Sequence, residues 1–176
     1  MNYTEKDYEL VYRQYTGIIT KMRVGRIGRS GIKKIAKAAL LLAVIIGIEN
    51  GIFKNNRFEY EKLDELYKAV FKKYESTARQ TEHTPLYYPF YHLTSDTLWH
   101  LSFLSHNSTR KPSPPSAAWI RNNVEYAYLD PALWEMLQQS EYRQRMIKFI
   151  VEEKINKAAE NSRFLLRTFI AWLVAI

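Results

Sequence analysis

The stretch LYYPFYHLTSDTLWHLSF, Leu86 to Phe103, decides between an all-helical chain and a mixed one. Rings surround Pro89 on both sides, and Trp99 follows. YPFYHL and LWHLSF alternate weakly between apolar and polar residues, and TSD between them carries turn chemistry. The pattern predicts a β-hairpin near 88–103. The fold class is then α+β: a mostly helical single domain with a small antiparallel sheet. Within the stretch, Phe90, Trp99, Leu101 and Phe103 read as core, and Asp96 reads as a turn residue.

Working outward, the remaining strong patterns are helical. Thr4 with Asp7 forms a potential capping box, so a helix is expected from Glu5 to about Met22. VGRIGRSG (24–31) reads as a flexible basic loop. A helix is expected to resume near Ile32 and run through AALLLAVIIGI to about Glu49. It is apolar nearly all round, as a helix through the middle of a domain must be. YEKLDELYKAVFKKY (60–74) carries apolar residues at helical spacing. VEYAYLD (124–130) suggests a third short strand. Asp130 followed by Pro131 is a helix start, and Ser140 is expected to cap a final helix that Asn161 breaks. A chain of 176 residues suits one domain. The expected division is 1–158 for that domain and 159–176 for an apolar helical tail, FLLRTFIAWLVAI being its main part.

The net charge is +8, and its placement is more informative than its size. Arg13, Lys21, Arg23, Arg26, Arg29, Lys33, Lys34 and Lys37 fall in one stretch with no acid between Glu9 and Glu49. A second acid-free stretch, between Asp96 and Glu125, carries Arg110, Lys111 and Arg121. Concentrated charge of one sign attracts polyanions. Nucleic acid or an anionic membrane surface are the partners this pattern admits. The N-terminus of the helix after the basic stretch adds unpaired N–H groups, suited to an anion.

Chemistry is less well represented. The chain has no cysteine, which excludes disulfides, thiolate metal sites and a thiol nucleophile and fits a reducing compartment. There is no HExxH, Walker loop or GxSxG. His92, His100 and His106 lack an acidic pair at ligand spacing, and HNS at His106 lacks the context of an HNH nuclease. No catalytic residue, metal or cofactor is expected. The apolar run 38–48 is too short to span a bilayer, and MNYTEKDYEL is no secretory signal.

Several segments taken in order resemble a known family. A basic, glycine-containing stretch precedes a lysine-led apolar helix. NGIFKNNRFEYEKLDELYKAVFKKY, YPFYHLTSDTLWHL and YLDPALWEMLQQSEYRQRMIKFIVEEKI follow. Over roughly residues 20–155 this is similar to the sulfur-binding domain that stands before HNH endonucleases of type IV restriction systems. Those domains recognise DNA in which sulfur replaces one non-bridging backbone oxygen. The resemblance implies a sulfur site at Tyr88, Pro89, His92 and Lys37. The family usually has a smaller residue at the place of His92. It often reads His-Lys-Pro or His-Arg-Pro where this chain has Ala36-Lys37-Ala38.

The resemblance also implies a base-reaching loop, here His106 to Arg121. His106, Asn107, Ser108, Arg110, Lys111 and Arg121 are its candidate base readers, since Arg and Lys favour guanine and Asn favours adenine. Arg26, Arg29, Lys33 and Lys34 are candidates for the DNA backbone. The expected function is recognition of phosphorothioated duplex DNA within a modification-dependent restriction system. The expected partners are that DNA and an HNH or other nuclease on a separate chain, in a bacterial cytoplasm and without a membrane. The oligomeric state stays open, a dimer through the apolar tail being one form. Three rivals remain: a reader of unmodified duplex, a basic membrane or protein-interaction module, and a metal nuclease using His92, His100 and His106.

Overall fold

The computed structural model describes residues 4–104 and 115–160. Its helices are α1 (Glu5–Lys21), α2 (Ala36–Glu49), α3 (Tyr60–Glu75), α4 (Tyr87–His92), α5 (Ala117–Asn123), α6 (Pro131–Met136) and α7 (Ser140–Ile150). A 3-10 turn (Leu93–Asp96) follows α4, and a π-helical turn (Val151–Asn156) continues α7. Two strands, β1 (Trp99–Phe103) and β2 (Val124–Leu129), form one antiparallel sheet. The mostly helical α+β class expected from the sequence is what forms. The tail 159–176 lies outside the described residues except Ala159 and Glu160.

Helix α2 is the axis of the core. Eleven of its residues, from Ala36 to Ile48, are buried, and it packs against α3, α7 and α4. Gly47 is required there, because a Cβ would collide with the ring of Phe53. Helix α1 starts with the expected capping box: the Asp7 amide donates to the Thr4 hydroxyl, and the Thr4 amide donates to the Asp7 carboxylate at 2.8 Å. These bonds from Thr4 hold the Asp7 carboxyl below its ordinary pKa. Asp130 caps α6 by accepting from the Ala132 amide at 3.0 Å, with Pro131 in the first turn. Ser140 is the first residue of α7, and the cap position falls to Gln139, without a side-chain bond.

The hairpin expected near 88–103 does not form. Tyr87–His92 is a helix instead, and β1 pairs with β2, from Trp99↔Leu129 to Phe103↔Val124, with a bulge at Ser102/Phe103. VEYAYL is therefore the second strand of the sheet, with Phe58 bridged to its Ala127. Pro89 suits the helix because it sits in the first turn, where its missing N–H breaks no bond. The TSD segment ends the helix instead of turning a hairpin. The Thr94 hydroxyl donates to the Tyr91 carbonyl at 2.7 Å, and the Ser95 hydroxyl to the His92 carbonyl at 2.8 Å. Thr97, with φ +61°, then reverses the chain.

Aromatic packing fixes α4 in place. The Trp99 indole N–H donates to the Phe90 carbonyl at 2.9 Å. Phe58 stacks on Trp99 at 5.6 Å, and Phe90 meets Trp99 and Tyr60 edge-on at 5.5 and 5.3 Å. Phe90 and Trp99 are core as expected. Leu101 is half-buried, and Phe103 is 37% exposed, because the bulge turns it outward at the sheet's end.

The basic segment after α1 is tied down rather than flexible. Arg26 and Lys33 form a β-bridge. The Ile27 amide donates to Ile32 at 2.9 Å, and the Lys34 amide to Gly25 at 2.8 Å. Gly28, at φ +47°, and Gly31, at φ +75°, make the reversal between them. The Gln80 side chain spans the segment's end, accepting from the Ile35 amide and donating to the Lys33 carbonyl. Hence α2 begins at Ala36, later than the expected Ile32.

Candidate nucleic-acid interface

A pocket of about 570 Å³ opens where the basic segment, the start of α2, residues 82–85 and α4 converge. Tyr88, Pro89 and His92 contribute from α4, Lys37 from α2, and Lys34 and Arg23 from the basic segment. Glu82, His83, Thr84, Pro85 and Ser95 complete much of the wall. All four residues expected to hold sulfur thus line one pocket, together with one of the four backbone candidates, Lys34.

Helical periodicity puts Tyr88 and His92, four residues apart, on one face of α4. Their rings lie nearly parallel, 13° apart, with centroids at 6.4 Å. Tyr88 is 37% exposed, while Pro89 is buried beneath. Desolvation, and then the charge of Lys37, lower the His92 pKa from its ordinary value. Its neutral form is therefore favoured at pH 7, and the ring adds a flat wall.

The lining also carries cations, two of them paired with acids. Lys37 bonds the Asp96 carboxylate, and their side chains are only 12% and 10% exposed. Ser95 Oγ lies 3.5 Å from Lys37 Nζ. At the rim, Lys34 Nζ meets Glu82 at 3.1 Å. Arg23 makes no ion pair among the described residues. No side chain caps α2, whose first residues Ala36 and Lys37 face the pocket. The 82–85 wall is held from the core side: the Tyr67 hydroxyl donates to the Thr84 carbonyl at 2.6 Å, and burial pushes the Tyr67 phenol far up. His83 packs edge-on to Phe71 at 4.7 Å.

Arg26, Arg29 and Lys33 do not line the pocket. Arg26 donates to the Gly31 carbonyl at 2.9 Å, and Arg29 is exposed in the turn. Arg121 lies on α5, pairs with Glu61 at 3.0 Å and stands 5.4 Å over the Tyr60 ring, away from the pocket lining. His106, Asn107, Ser108, Arg110 and Lys111 lie outside the described residues. Sequence reading missed Arg23, Glu82, Ser95 and, above all, the engagement of Asp96 with Lys37. Only Arg23 had a signal, its place in the acid-free stretch. Among the described residues, no cluster of His, Asp or Glu could hold a metal ion, and no helix is long and apolar enough to cross a membrane.

The fold is thus an α+β domain with a pocket that combines ring faces, a proline and cations. Residues 18–169 match the model of the ScoMcrA-like, DNA sulfur-binding domain family, and the chain belongs to that family. Among solved structures it is similar to the sulfur binding domain of SprMcrA complexed with phosphorothioated DNA, with a TM-score of 0.62 and 14% identity. That match covers 86% of this chain and 93% of the other. At this identity the likeness is one of fold. No curated protein matches the chain.

Proposed function

We propose that this domain binds duplex DNA carrying a backbone phosphorothioate, with the sulfur held against Tyr88, Pro89 and His92 and its charge facing Lys37. The observation that carries the reading is the meeting of these four residues in one pocket although Lys37 lies far from α4 in sequence. A phosphorothioate keeps the negative charge of a phosphate, but its sulfur is larger, more polarisable and less strongly hydrated than oxygen. Ring faces and a proline take sulfur with little desolvation cost. A phosphate oxygen there loses water without an equivalent hydrogen bond, a penalty of roughly 1–3 kcal/mol. That penalty corresponds to about one to two decades of preference.

Arg26, Arg29, Lys33 and Lys34 would contact neighbouring phosphates, positioning the duplex. His106, Asn107, Ser108, Arg110, Lys111 and Arg121 would read bases. The domain serves as a recognition module without catalysis of its own, in a modification-dependent restriction system in a bacterial cytoplasm, with cleavage supplied by a nuclease. The test is a gel shift at near-physiological salt with two duplexes differing in one atom, an Rp phosphorothioate against a phosphate, in several base contexts. Preference for sulfur that disappears in Tyr88→Ala and Pro89→Ala supports the reading. Equal binding of both duplexes, falling steeply with salt, refutes it in favour of a general DNA binder.

A further inference from the structure

We infer that Asp96 sets the discrimination between sulfur and oxygen by keeping Lys37 neutralised until a ligand arrives. The inference rests on the function proposed above and concerns a residue that sequence reading left as a turn. Asp96 ends the 3-10 turn after α4, and its carboxylate bonds Lys37, a residue of the pocket lining, from outside that lining. Both side chains are about nine-tenths buried, so water screens the pair weakly. The Ser95 hydroxyl lies beside both, 3.5 Å from Lys37 Nζ and 3.4 Å from the Asp96 carboxylate. Burial lowers the pKa of Lys154, and Asp96, after Glu153, is one of the acids that oppose the lowering.

The consequence for a ligand follows from charge. A phosphate oxygen entering the pocket gives up strongly bound water and needs a charged donor in return. Lys37 already has an anion, so its attraction for a second one is reduced by the first. Sulfur relies less on that donor, because its water is held loosely and the apolar wall receives it. Asp96 thus penalises ordinary phosphate more than phosphorothioate. Glu82 plays no comparable part, since its pair with Lys34 is at the rim and its side chain is 63% exposed.

The test compares wild type, Asp96→Asn and Glu65→Gln in binding titrations with the Rp phosphorothioate duplex and its phosphate twin across a salt series. In Asp96→Asn, affinity for the phosphate duplex is expected to rise about tenfold and that for the sulfur duplex much less. The preference ratio then falls several-fold, and the salt slope for plain DNA steepens by about 0.9, the value for one more neutralised phosphate. Glu65→Gln, on the exposed face of α3 and outside the pocket lining, leaves the ratio unchanged. Asp96→Ser, which retains a short polar side chain, carries the same expectation if the Asn variant fails to melt cooperatively. Loss of affinity for both duplexes at constant ratio and slope would overturn the inference and reduce Asp96 to a support for Lys37. A wild type that binds both duplexes equally would overturn the proposed function and the inference with it.

Discussion

Replacing Lys37 by Met isolates its ion pair with Asp96. The substitution keeps the length of the stem but removes the ammonium, leaving the Asp96 carboxylate about nine-tenths buried without its partner. Breaking a fully buried pair from one side costs about 3–5 kcal/mol; residual exposure and the adjacent Ser95 hydroxyl reduce that here to about 2–4 kcal/mol. For a chain of this length the corresponding drop in Tm is about 4–16 °C. Thermal unfolding followed by circular dichroism measures it. Lys37→Met/Asp96→Asn should recover most of the loss, because no uncompensated charge remains, so the two changes couple by more than about 1 kcal/mol. A single variant that melts within about 2 °C of wild type, or a double variant no better than the single, would refute the claim that this pair is desolvated and mutually dependent. In binding assays the same Lys37→Met change should weaken the sulfur duplex by about 10–100-fold, the range for losing a charge-assisted contact.

Other expectations follow from the site and its supports. Trp99→Phe removes the indole donor to the buried Phe90 carbonyl, so stability should fall by about 1–3 kcal/mol, and sulfur affinity should fall with it as α4 loosens; unchanged sulfur binding in a destabilised variant would separate α4 from the pocket. Gly47→Ala should cost about 1–3 kcal/mol in chemical denaturation, because the added carbon meets the Phe53 ring inside the core. The lowered pKa of His92 favours its neutral form at pH 7, and the ring gains a proton as pH falls. A nearby phosphate favours the protonated form, so plain-duplex affinity should rise on going from about pH 7.5 to about pH 5.5. The rise should be absent in His92→Ala, and an identical rise in that variant would assign it to another group.

Local rules carried much of the fold. The Thr4–Asp7 capping box, the Asp130-Pro131 start and the stripe through Leu63, Tyr67, Val70 and Phe71 each lie within one or two helical turns and appear where expected. The central α2 follows from an apolar run that no surface helix would carry. The hairpin failed because YPFYHL is a short, ring-rich segment whose alternation suits a strand and a two-turn helix alike. Its state is decided by partners distant in sequence: Phe58 and Tyr60 packing on Trp99 and Phe90, and β2 occupying the edge of β1. The start of α2 was misread for a similar reason, since Gln80 takes the Lys33 and Ile35 backbone bonds that a helix would have used.

The site divides the same way. The family resemblance located Tyr88, Pro89, His92 and Lys37, and the pocket unites them. Nothing in composition marked Asp96, whose partner is 59 residues away, or Glu82, which approaches Lys34 only because the 82–85 segment is held to α3 through Tyr67 and Thr84. Charge counting placed the cations but could not show that two of those lining the pocket, Lys34 and Lys37, are paired with acids.

The most direct measurement is calorimetric titration of the whole chain with one duplex sequence in three forms: an Rp phosphorothioate, its Sp isomer and an unmodified phosphate. The account predicts that the Rp form binds at least about tenfold more tightly than the phosphate, and that the Sp form, which directs sulfur away from Tyr88 and Pro89, behaves like the phosphate. Equal affinity for all three forms would contradict it.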